Sequence, residues 1–62
     1  MLKMLEVVGT SSVGYSEAVR AAVEKVAAAD EKVHFFTVIE QRGAFHGGKV
    51  EFQAVVKLAV EG

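Results

Sequence analysis

The chain has 62 residues, 52% of them hydrophobic, with seven basic and eight acidic side chains, a net charge of -1 at pH 7 and no cysteine. Disulfides and thiolate metal sites are excluded, and the balanced, scattered charge speaks against nucleic acid as the main partner. A domain this small buries only about 60% of the surface its unfolded chain exposes; without staples, self-association is the remaining route to stability, and some apolar surface asks for a sister chain or a flat ligand to cover it.

Leu2 to Val8 is a bulky apolar run that predicts a first strand. Gly9-Thr10-Ser11-Ser12-Val13-Gly14 follows as a loop of turning and capping residues. From Tyr15 to Ala29, the residues Tyr15, Ala18, Val19, Ala22, Val23, Val26 and Ala29 recur at spacings of three and four, which is one apolar face of a helix of about four turns. Gly14 is placed to be its N-cap, with Glu17 near the positive end of the dipole. Arg20 and Glu24 stand four apart on the exposed side and are expected to pair weakly. After the polar connector Asp30-Glu31-Lys32, the β-branched and aromatic content of Val33 to Arg42 predicts a second strand. Gly43 to Gly48 predicts a loop, with a tight reversal at His46-Gly47-Gly48. Lys49 to Glu61 alternates as a third strand: Val50, Phe52, Ala54, Val56, Leu58 and Val60 on one face, and Gln53, Val55 and Lys57 among those on the other. The expected fold is α+β: a single domain over residues 1–62 in the order β-α-β-β, with a three-stranded antiparallel sheet packed on one helix.

One helix covers one face of such a sheet, so the second face is left open. A register setting odd residues opposite odd ones matches apolar with apolar across the last two strands. It places Phe36 and Val38 beside Phe52, Ala54 and Val56 under the helix, as core, and Phe35, Thr37 and Ile39 outside with Gln53, Val55 and Lys57. In that register Glu40 points away from Gln53, and a bulge or a second subunit would be needed to bring them together.

Catalytic and metal chemistry find no foothold. His34 and His46 lack further ligands at metal spacing, so no metal site is expected. Ser11 and Ser12 have no base beside them and read as loop caps. The acidic residues form no pair at a spacing suited to acid-base work. No apolar run approaches the roughly 20 residues of a membrane helix, and Met1-Leu2-Lys3-Met4-Leu5 is too soon polar for a signal peptide. The expected compartment is the cytoplasm.

Four segments, in order and at matching spacing, carry a resemblance: Val8-Gly9-Thr10-Ser11, Tyr15 through Val23, Val38-Ile39-Glu40-Gln41-Arg42-Gly43, and Gly48-Lys49-Val50-Glu51-Phe52-Gln53. Together they resemble the dodecin family over nearly the whole chain. That resemblance implies a β-α-β-β fold, assembly of twelve copies into a hollow sphere, and flavins (FMN or riboflavin) stacked in pairs at subunit interfaces. It implies storage or photoprotection without catalysis, and coenzyme A as a further ligand of some members. Residue by residue, it places Phe35 where the family usually carries the stacking tryptophan. Gln53 stands where a glutamine hydrogen-bonds the isoalloxazine edge, and Glu40 where some members have a carboxylate near the flavin. Phe35 is the departure: it keeps a π-face but is smaller and a poorer electron donor than indole. The plainer readings are that Phe35 fills a subunit contact, and that Glu40 pairs with Arg42, Lys49 or a neighbouring subunit. The alternative function is a flavin-free oligomer of the same fold that binds coenzyme A, ions or nothing.

Overall fold

A computed structural model describes residues 1–61. The elements are β1 (Leu2–Ser11), α1 (Tyr15–Ala28), β2 (Val33–His46) and β3 (Lys49–Glu61). They form one antiparallel sheet in the order β1-β3-β2 with α1 on one side, which is the expected α+β arrangement. The last strand takes the centre because the short hairpin puts β2 on one edge of it, while the helical crossover delivers β1 to the other.

The core lies between Ala18, Ala22 and Val26 of α1 and Ala54, Val56, Leu58 and Val60 of β3, with Leu5, Val7, Val19, Val23 and Val33 packed around it. The helix therefore buries the apolar face that its periodicity outlines, against the even-numbered face of the central strand. Gly14 is its N-cap, and Asp30, in the left-handed region at φ 67°, turns the chain away at the other end. Arg20 and Glu24, expected to pair, form no ion pair among the described residues.

Two stretches read as loop are strand. β1 continues through Gly9 to Ser11 because Gly9 lies directly under the helix. A Cβ there would sit 2.0 Å from the carbonyl oxygen of Ala18 and 2.7 Å from the Ala22 nitrogen, so only glycine lets the two backbones meet this closely. β2 continues through Gly43 to His46, and the turn is only Gly47-Gly48, both with positive φ (54° and 80°), as a two-residue hairpin of primed type requires.

The register of β2 against β3 changes along its length. Near the turn, His46 pairs with Lys49, Arg42 with Gln53 and Glu40 with Val55; beyond Ile39, Val38 pairs with Val56, Phe36 with Leu58 and Phe35 with Ala59. Ile39 is the extra residue of a β-bulge. The odd-to-odd register thus holds from Val38 to Phe35 and is one residue off on the turn side; a second irregularity at His34 shifts it again, setting Val33 opposite Val60. Phe36 and Val38 do lie on the helix side, but they are not core: they remain 47% and 37% exposed. A helix of 14 residues reaches only about 21 Å, far less than the 44 Å length of the molecule. Tyr15, in edge-to-face contact with Phe52 at 5.1 Å, covers the hairpin at the first turn of the helix.

Candidate functional site

The face of the sheet away from α1 is built in cross-strand rows, because residues paired across antiparallel strands share a face. Running toward the turn, the rows are Met4–Ala59–Phe35, Glu6–Lys57–Thr37, Val8–Val55–Glu40 and Thr10–Gln53–Arg42. The first is apolar and the last polar. Phe35 lies on the edge strand β2 with 52% of its surface exposed. Its neighbour Ala59 is fully buried and offers no bulk to shield the ring.

Gln53 sits near the other end, and its amide is held from both sides. Its Oε1 accepts a hydrogen bond from Arg42 Nε at 2.7 Å, and its Nε2 donates to Glu51 Oε1 at 2.8 Å. A carboxamide has two acceptor lone pairs and two N–H donors. One of each is left over, in an orientation fixed by the two charged neighbours. Glu40 joins the same cluster, its Oε2 lying 3.5 Å from an Arg42 terminal nitrogen. The bulge at Ile39 brings Glu40 to the face of Gln53, which the uniform register does not allow; the pairing of Glu40 with Arg42 is one of its plainer expectations.

Gln53 and Glu40 are thus brought together through Arg42, and Phe35 is not. From Ala59, beside Phe35, to Gln53 is six residues along β3, roughly 20 Å. That exceeds the span of three fused rings, so within one chain a single flat ligand cannot stack on Phe35 and hydrogen-bond to Gln53. A site using both residues needs two copies. Glu51 and the hydrogen bond from Arg42 to Gln53 are the contributions that sequence reasoning missed. The signal was present: a two-residue turn at Gly47-Gly48 sets Arg42 opposite Gln53 by counting outward from His46 and Lys49. His34 lies at the opposite end of the sheet, with Nε2 3.1 Å from Glu61 Oε1.

The dodecin family model matches residues 1–61. The chain belongs to the dodecin family. Among solved structures, the dodecin of Streptomyces coelicolor is 36% identical, with a TM-score of 0.88 over 97% of this chain and 87% of that one. A tryptophan-to-phenylalanine mutant of Thermus thermophilus dodecin is 33% identical, with a TM-score of 0.87 over 97% and 91%. The calcium dodecin of Mycobacterium tuberculosis, described as having a novel calcium-binding site, shares the fold at 23% identity, with a TM-score of 0.87 over 95% and 86%. No curated protein sequence matches the chain significantly. As a dodecin it is a small protein of a ligand-binding family, and among its described residues no helix is long and apolar enough to cross a membrane.

Proposed function

We propose that this dodecin is a non-enzymatic, cytoplasmic flavin-binding protein, a hollow homododecamer holding FMN or riboflavin for storage, buffering or photoprotection. The observation that carries this reading is the uncovered outer face, with an exposed aromatic ring at one end and an oriented amide at the other. An isoalloxazine asks for both, a surface to stack on and an edge partner that donates and accepts. Stacking on an aromatic contributes about 1–3 kcal/mol by analogy with nucleic-acid bases. Because Phe35 and Gln53 are too far apart in one chain, the ligand would lie between copies, with Phe35 from one and Gln53 and Glu40 from another. This agrees with the family's habit of assembling around small ligands.

The test is a titration of riboflavin with the intact protein, followed by fluorescence anisotropy. Anisotropy should rise at micromolar protein, and an unchanged signal would defeat the flavin reading. Anisotropy is the better readout because phenylalanine quenches flavin emission less than tryptophan does.

A second reading is a flavin-free oligomer of the same fold binding coenzyme A or ions, and the phenylalanine at position 35 favours it. Among the described residues no cluster of three or more His, Asp or Glu side chains could hold a metal ion. An ion would therefore need ligands from more than one copy. Protein that leaves riboflavin anisotropy unchanged but gains thermal stability with coenzyme A or calcium would establish this second reading.

A further inference from the structure

Val33 and Phe35 stand two residues apart on β2, and in an unbroken strand their side chains share a face. Here they do not. Val33 is opposite Val60 and packs against the core on the helix side, while Phe35 is opposite Ala59 on the outer face. The register shift between them makes His34 the extra residue of a second β-bulge. Beyond it the strands stay joined, the Glu61 N–H donating to the Lys32 carbonyl at 3.0 Å. The bulged residue is itself tied down. His34 Nε2 lies 3.1 Å from Oε1 of Glu61 at the end of the central strand, and Oε2 of the same carboxylate is 3.5 Å from the N-terminal ammonium beside β1. We infer that His34 is a positioning residue: through its contact with Glu61 it holds the bulge that aims Phe35 at the outer face. This rests on the reading of Phe35 as the ring on which a flavin stacks, and adds what directs that ring.

Two unbulged registers lie one residue away on either side. Continued from Phe35, the pairing sets His34 opposite Val60 and brings Val33 out to the row of Glu61. Continued from Val33, it sets Phe35 opposite Leu58 and turns the ring toward the helix side. Burial of Val33 against the core opposes the first. It does not oppose the second, in which Val33 stays where it is. Core packing alone therefore leaves the direction of Phe35 undecided, and the decision falls to the contacts of the bulge. β2 is an edge strand, held by β3 alone, and a bulge leaves its extra residue outside the ladder. Between Val33 and Val38, the His34–Glu61 contact is the only side-chain hydrogen bond that β2 makes among the described residues. The carboxylate it reaches belongs to the central strand, in the outer-face row next to Met4–Ala59–Phe35. The anchor is thus one row from the ring it directs.

The chain has no tryptophan, so Phe35→Trp places a single reporter at the ring and needs no ligand. With particle size checked by light scattering, its steady-state anisotropy should fall when His34→Ala or Glu61→Ala is added. It should fall no further when both are, and should hold in His34→Gln, whose amide N–H can still donate to the carboxylate. An anisotropy that neither alanine moves overturns the positioning role. Loss of the particle in both alanine variants makes the contact one of assembly and overturns it as well. Riboflavin titrations are the second arm. His34→Ala should weaken binding roughly two- to fourfold, as loss of one partly exposed polar contact does. It should add nothing in a Phe35→Leu background, because the effect passes through the ring. The same factor in both backgrounds shows that His34 meets the ligand itself, and overturns the inference. Wild-type protein that binds no riboflavin defeats the flavin reading instead, and the tryptophan arm then decides the aim of residue 35 by itself.

Discussion

Gln53 shows how much of a polar side chain's behaviour is decided by its neighbours. A free glutamine amide turns either way at small cost, but here Arg42 claims the oxygen and Glu51 the nitrogen. Changing Gln53→Ala should remove two neutral hydrogen bonds to a flavin edge, each contributing about 0.5–1.5 kcal/mol. Riboflavin affinity should then fall by roughly an order of magnitude with assembly intact, and equal affinity for the two proteins would take Gln53 out of the site. Changing Arg42→Ala leaves the amide in place and frees its orientation. The expected result is a smaller loss of affinity, the same for riboflavin and FMN. A loss confined to FMN would show that the guanidinium meets the phosphate instead. Both comparisons are titrations by anisotropy.

At the scale of elements, the sequence was most informative where one face of a strand or helix meets the core and the other does not. The three-four spacing in α1 gives its extent almost to the residue because burial follows the same period; the alternation in β3 gives its extent as well, although small side chains at Val55 and Ala59 leave its centre buried on both faces. Gly9 misled for the opposite reason: a glycine reads as a chain break unless a helix is known to press on it. Replacing Gly9→Ala forces a methyl against the Ala18 carbonyl, and the overpacking should cost about 1–3 kcal/mol or more, seen as a lower denaturation midpoint. Leu58→Ala is the reverse case, a fully buried side chain removed from the core, expected to cost about 2–5 kcal/mol by the same measurement. The bulge at Ile39 was the least legible element. The turn at Gly47-Gly48 dictates one register and the match of Val38 and Phe36 with β3 dictates another, and one surplus residue satisfies both. Each local signal was readable, but their conflict appears only when the two ends of the hairpin are counted against each other. That conflict also decides the side on which Glu40 lies, which is why the outward face of Gln53 was legible and the Glu40–Arg42–Gln53 cluster was not.

As a whole molecule, the chain exposes Leu2, Met4, Val8 and Phe35 on one side of its sheet and Phe36, Phe45 and Val50 on the other. Met4 and Phe35 flank Ala59 in one apolar row and Phe45 pairs with Val50 in another, and exposed apolar clusters of this kind mark contact surfaces. Light scattering should therefore give a particle near twelve times the 6.6 kDa chain, and a stable monomer would remove the basis of the proposed function. The roughly 20 Å that separates Phe35 from Gln53 along one sheet has a thermodynamic corollary. A guest that touches both residues is also a clamp between two chains, and anything that binds only the associated form favours it by mass action. Flavin should then slow the dissociation of the particle on dilution, and diluted protein should hold flavin less tightly than concentrated protein. Loading and unloading would be governed by how much of the protein is present as well as by how much of the vitamin.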